Sequence, residues 1–197
     1  MTLSPIECWF ELGSHYSYPA VMRIEAMARV AGRPLVWRPM LLGPIFKALG
    51  WQGSPFLQQP LKAAYAWRDL ERLCAKHGLA WQQPTVFPRR ALLPMRVAYA
   101  AAEQPWMGAY CRRVMQMNFA EDREIDNPDA VAEALVDVGE AATPWLDLAA
   151  TEAVKSGLRA QTGQALALGH FGAPTFRVGG EMFWGHDRLV DALAWPG

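Results

Sequence analysis

The sequence predicts an α/β fold in which a β-α-β unit at the start and a β-β-α unit at the end are separated by a long, purely helical block. Three observations carry that expectation. Ile6, Cys8, Phe10 and Leu12 alternate with Glu7, Trp9 and Glu11, the two-residue period of a strand. Over residues 41–169 that alternation is absent and apolar residues recur at helical spacing. After Gly169 the strand pattern returns in two short runs of branched and aromatic residues, Thr175–Val178 and Glu181–Trp184, around Gly179-Gly180.

Each element follows from local chemistry. Gly13 lets the chain turn sharply out of the first strand, and Ala20, Val21, Ile24, Met27, Ala28 and Ala31 then form one face of a helix that leaves from Ser14. The free amides and positive dipole end of that helix favour an anion beside the serine. Ser14 or Ser17 serves equally well as a plain helix cap. Gly32-Arg33-Pro34 makes a turn and Leu35-Val36-Trp37 a second strand, which a helical crossover makes parallel to the first and right-handed.

In the helical block, Pro60 precedes a helix whose face is Ala66, Leu70, Leu73, Cys74 and His77, with Gly78 as its cap. Residues 91–103 are rich in alanine, residues 107–119 carry Tyr110, Val114 and Met117, and Asn127-Pro128-Asp129 sets cap, proline and acid in order. Thr143-Pro144 and Thr151 open two more helices, the last stopping at Gly169, and Leu189, Val190 and Leu193 face the core from a closing helix. The expected division is one α/β domain from residues 1–43 and 168–197, interrupted by a helical domain over 44–167.

Composition limits the partners. With 52% hydrophobic residues in 197, the chain can furnish a full core. Lysine plus arginine equal aspartate plus glutamate at 19 each, and no basic stripe stands out, so nucleic acid and anionic membrane are not expected partners. The first strand follows the amino terminus without a basic segment and apolar run, and no stretch approaches the ~20 apolar residues of a membrane span, which reads as cytoplasmic. Cys8, Cys74 and Cys111 are odd in number and far apart, so buried reduced thiols are expected rather than disulfides. The four histidines do not pair at metal-ligand spacing.

The order β-α-β, helices, β-β-α, with Ser14-His15-Tyr16-Ser17 at the first strand-to-helix junction and Ala173-Pro174-Thr175 before the hairpin, resembles the thioredoxin fold across the whole chain. In that fold's oxidoreductases the junction holds C-x-x-C. Here both sulfurs are missing, which closes disulfide exchange to this site. A hydroxyl can instead stabilise a thiolate brought by a cofactor, lowering its pKa from roughly 8.5.

More specifically, residues 10–18, the segment Trp37-Arg38-Pro39-Met40-Leu41-Leu42-Gly43, Tyr65-Ala66-Trp67-Arg68-Asp69-Leu70, Phe171-Gly172-Ala173-Pro174-Thr175-Phe176 and the run from Gly180 to Arg188 resemble the 2-hydroxychromene-2-carboxylate isomerase family, related to kappa-class glutathione transferases. The resemblance implies a homodimeric, glutathione-dependent isomerase of an aromatic oxo-acid, in which thiolate adds to an unsaturated carbon, a bond rotates and the thiol leaves. It implies that Ser14 faces the glutathione sulfur, that Ala173 before a cis Pro174 offers backbone hydrogen bonds, and that His186 with Asp187 holds the γ-glutamyl end.

Two departures stand out: His15 occupies the place of the family's proline after the active serine, and Gly50-Trp51-Gln52-Gly53 lacks the family's asparagine, so that contact passes to Trp51 or Gln52 or is lost. His15 is either an acid or base beside the thiolate or a surface histidine capping the helix. Lys62, Arg89 and Arg90 are candidates for a substrate or glycine carboxylate, or solvated charges. Trp51, Phe56, Tyr65, Trp67 and Phe87 either wall an aromatic pocket or pack in the core. The same site would also serve a transferase or peroxidase that consumes glutathione, and loss of C-x-x-C is compatible with a non-catalytic binding module.

Overall fold

The computed structural model describes residues 3–196. Strand β1 (Ile6–Phe10) leads into helix α1 (Ser17–Val30) and strand β2 (Leu35–Pro39). Nine further helices are described. Eight of them follow β2 without an intervening strand: α2 (Leu42–Ala48), α3 (Pro55–Gln58), α4 (Pro60–His77), α5 (Leu92–Ala100), α6 (Met107–Phe119), α7 (Pro128–Asp137), α8 (Ala142–Ala150) and α9 (Glu152–Ala167). The chain closes with β3 (Thr175–Val178), β4 (Glu181–Trp184), a 3-10 turn over His186–Arg188, and α10 (Leu189–Ala194).

The four strands form one sheet in the order β2-β1-β3-β4. β1 pairs parallel to β2, Ile6 opposite Leu35, as the helical crossover requires, and antiparallel to β3, Cys8 opposite Phe176. The hairpin turn between β3 and β4 uses Gly179 and Gly180 at φ 56° and 91°, values that a side chain would disfavour at both positions.

Local signals place several helix ends. Asn127 accepts a bond from the Ala130 amide at 2.8 Å and Thr151 from the Val154 amide at 3.3 Å, while Gly78, at φ 64°, ends α4 in the left-handed conformation. α1 begins three residues after Ser14, the residue from which the sequence has the helix leave. Ser14 to Tyr16 form a turn closed by the Ser17 amide on the Ser14 carbonyl (3.1 Å), and Tyr16 holds the cap position without a side-chain bond.

One expectation about β1 is corrected. A two-residue period with one face in the core puts Trp9 on the face away from it, but Trp9 is fully buried, because Met40 after β2, Leu42 and Ile45 of α2 and Ala165 of α9 cover that side of the sheet. The other face, Ile6, Cys8 and Phe10, joins a single large core with α1 and the helices, reaching Tyr110, Met117 and Leu135. β1 is therefore buried on both sides, as a central strand of a layered α/β sheet is. Cys8, Cys74 and Cys111 are buried free thiols. Among the described residues, no helix is long and apolar enough to cross a membrane.

Candidate active site

The end of β1 carries the chain into the turn that presents Ser14, and three separate contacts fix that turn. Gly13 approaches the Arg89 carbonyl so closely that a Cβ would sit 2.8 Å from the oxygen. The Asn118 amide donates to the Leu12 carbonyl at 3.4 Å, and the Ser14 amide donates to the Glu11 carbonyl at 3.1 Å. Ser14 is 6% exposed. Its hydroxyl donates to the Ala173 carbonyl at 3.2 Å and accepts a long bond from the Ser17 amide at 3.4 Å. The Ala173–Pro174 peptide is cis, and the Pro174 carbonyl accepts from the Gly185 amide at 2.9 Å. One short path thus runs from Ser14 through the proline loop to the start of the His186–Arg188 turn.

His15 is not a surface histidine. It is 5% exposed, and its Nε2 is buried with no hydrogen-bond partner. Rings surround it: Phe56 at 4.2 Å and 88°, Tyr16 at 4.5 Å, Phe87 at 5.2 Å and 90°, Trp67 at 5.4 Å. Burial, with a smaller contribution from His186, pushes its pKa down to about 3. The imidazole is accordingly neutral at physiological pH, a hydrogen-bonding group rather than a proton acceptor. The Ser17 hydroxyl is likewise buried and without a partner.

Beside this pocket lies a more polar cluster. Tyr16 stacks on His186 (5.1 Å, 14°) and donates its hydroxyl to Asp69 at 2.9 Å. Desolvation pushes the Asp187 carboxyl up, but bonds from Arg188 and from its own backbone amide, with the charges of Arg188 and His186, bring its pKa below the usual value. It is ionised. Burial holds the His186 pKa down, partly offset by Asp187 and Asp69.

Other expected residues lie elsewhere. Arg89 is buried and bonded to Asn118 Oδ1 (3.1 Å), Asp122 Oδ1 (2.5 Å) and the Asp122 carbonyl (3.1 Å). That corrects its expected role as a carboxylate binder, since a buried guanidinium needs its own acid partner. Arg90 is exposed and paired with Asp126 at 3.0 Å. Tyr65 is 64% exposed and has no ring contact with His15, so it is not part of the aromatic wall. Trp51 is half-buried, Gln52 and Lys62 are exposed, and no described hydrogen bond or ring contact joins these three to Ser14.

Of the five expected wall residues, Phe56, Trp67 and Phe87 converge on His15. Two residues were missed. Asp69 falls on the α4 face between the apolar positions, at helical spacing from Tyr65, and could have been read as facing α1. Glu11, whose carboxylate accepts from the Leu42 amide at 3.2 Å at the start of α2, gave no signal beyond alternation. Burial pushes its carboxyl up to about 7 despite that amide.

The model of the DSBA-like thioredoxin domain matches residues 5–194. The chain belongs to that family. It is 26% identical over 187 residues to a 2-hydroxychromene-2-carboxylate isomerase of Pseudomonas putida, covering 93% of this chain and 90% of that protein. A protein of the same name from Sphingobium xenophagum is 27% identical over 190 residues, 93% of each. Among solved structures, a selenomethionine 2-hydroxychromene-2-carboxylate isomerase aligns with a TM-score of 0.83 at 24% identity, over 94% of this chain and 91% of that one. The cytosolic disulfide reductase DsbM of Pseudomonas aeruginosa, solved with GSH, aligns with a TM-score of 0.64 at 16% identity, over 91% and 88%. Within this thioredoxin-like family the chain carries Ser14 and Ser17 at the junction, and all three of its cysteines lie outside it.

Proposed function

We propose that the chain is a glutathione-dependent isomerase acting on an aromatic oxo-acid of the 2-hydroxychromene-2-carboxylate type. The observation that carries this reading is a buried serine hydroxyl, held against the cis-proline loop, at the place where thiol oxidoreductases of this fold need sulfur. A hydroxyl cannot cycle through a disulfide but can stabilise a thiolate. The names of the relatives, over nine-tenths of the chain, support the isomerisation.

The residues suit the tripeptide at two points. Asp187 is ionised and its charge is felt by both Tyr16 and His186, which makes it an acceptor for an α-ammonium group. Ser14 offers one hydroxyl hydrogen, which turns from the Ala173 carbonyl to a thiolate and leaves that carbonyl open to a peptide N–H. Bound glutathione would supply a nucleophile that adds to and leaves a conjugated carbon, making a double bond rotatable without net consumption. Within that scheme Ser14 stabilises negative charge on sulfur, aided by the amides of the first turn of α1, and the rings around His15 exclude water. Trp51, Gln52 and Lys62 remain proposed contacts for the rest of the tripeptide.

Incubating the chain with glutathione and a hydroxychromene carboxylate tests the reading. The isomer should accumulate with free glutathione constant. Stoichiometric loss of glutathione would make the chain a transferase instead, and no turnover together with no calorimetric binding of glutathione would overturn both.

A further inference from the structure

The pocket beside Ser14 is full. Four rings close around His15, and Ser14 and His15 are almost wholly buried, so no ligand atom reaches either without something moving aside. The rings are not equally held. Trp67 lies on the long helix α4 and interlocks with Phe87 (4.6 Å) and Trp81 (6.0 Å), and Tyr16 is clamped between His186 and Asp69. Phe56 belongs to α3, four residues long, with none of its residues buried and no side-chain cap. Gly50 and Gly53 at positive φ precede α3, and Pro60 follows it. Phe56 is also the ring nearest the imidazole.

A buried ring nitrogen with only aromatic neighbours is poorly satisfied, because a ring face is a weak acceptor and an N–H or lone pair left without a polar partner carries a desolvation cost. We propose that His15 is a specificity-determining residue: its buried Nε2 hydrogen-bonds an oxygen carried by a planar ligand ring that takes the place of the Phe56 ring. This rests on the reading of the pocket as the substrate site. The remaining walls, Trp67 and Phe87, which pack edge to face at 4.6 Å and 83°, then flank the ligand ring from one side, and the neutral imidazole either donates to a carbonyl or exchanges a hydrogen bond with a phenol.

Calorimetry with two probes that differ by one ring hydroxyl, trans-cinnamate and trans-2-hydroxycinnamate, tests this. Wild type should prefer the hydroxylated probe by about tenfold, the range of one buried hydrogen bond. His15→Phe keeps a ring and should abolish the preference, while His15→Gln, which carries a polar group to a similar position, should restore part of it. Phe56→Ala should tighten both probes several-fold, since neither then has a ring to displace, and α3 is exposed enough for the variant to fold. A preference that survives in His15→Phe overturns the hydrogen bond, and so does an unmoved His15 Nε2 resonance in wild type on adding the hydroxylated probe. Unchanged or weaker binding in Phe56→Ala overturns the displacement. These measurements need neither glutathione nor turnover, so a chain that discriminates the probes but ignores glutathione sinks the cofactor reading and leaves His15 standing.

Discussion

The hydroxyl of Ser14 donates to the carbonyl oxygen of Ala173 at 3.2 Å, joining two residues 159 positions apart. The bond ties the first strand-to-helix turn to the cis-proline loop and fixes where the single hydroxyl hydrogen of the serine points. Redirecting that hydrogen to a thiolate exchanges a neutral bond for a charge-assisted one, which is stronger.

Ser14→Ala should therefore raise the pH at which thiolate absorbance appears in the glutathione complex and lower turnover by about 100-fold, the loss typical of one oxyanion donor. Affinity for glutathione should change far less, because the hydroxyl acts on the charged sulfur and not on the tripeptide. Part of the thiolate shift should remain, supplied by the amides at the start of α1. If the titration and the rate are both unmoved, the serine only braces the proline loop.

Asp187→Ala should weaken glutathione binding by about 1.5–3 kcal/mol, the range of a hydrogen bond to a charged group. Folding stability should hardly change, since the bond that Asp187 makes to Arg188 in the free chain lies on the surface. Calorimetry and thermal melts of the same variant separate the two, and a loss of stability without a loss of affinity would give Asp187 a purely structural role.

Arg89→Ala should destabilise the chain by roughly 1–3 kcal/mol, because it leaves the buried Asn118 Oδ1 without its donor while Asp122 keeps only its bonds from Thr85. Asn118 also holds the Leu12 carbonyl, so the turn before Ser14 loosens too. Arg89→Lys should recover little, as one ammonium cannot reproduce the fork that spans both partners. Denaturant unfolding checks both variants, and a well-folded Arg89→Ala with intact stability would contradict the network.

Stability should depend on pH from both sides. His170 packs edge-on against Trp9 with neither ring nitrogen partnered, and burial, assisted by Arg177 and opposed by Glu7, pushes its pKa down to about 4. The unfolded chain takes up that proton near pH 6.5, so the contribution is complete above 6.5 and is lost as pH falls toward 4. Glu11 runs the other way: raised to about 7, it contributes fully below its ordinary 4.5 and loses that contribution as pH rises through 7. His170→Leu should raise Tm at pH 5 more than at pH 8, and Glu11→Gln should do the reverse, each by about 2–6 °C. Parallel Tm–pH curves for wild type and variants would refute the assignment.

The sequence by itself determined the element order and the hairpin turn, because each rests on short-range rules, while the proline loop was legible only through the likeness to the thioredoxin fold. Alternation fixed β1, paired glycines fixed the turn between β3 and β4, and Asn127 and Thr151 marked where α7 and α9 begin. The place of Ser14, at a strand end beside a glycine, was legible for the same reason, while its role came from that likeness. Tertiary structure alone decided which side chains share the site. Arg89 and His15 each sit in ordinary helical or loop surroundings in the sequence, yet Arg89 became a buried brace and His15 the centre of an aromatic cage. Both outcomes depend on partners 29 to 72 positions away: Asn118 for the arginine, Phe56 and Phe87 for the histidine. Burial and charge pairing at such separations follow from how helices pack across the sheet, and no local pattern encodes that.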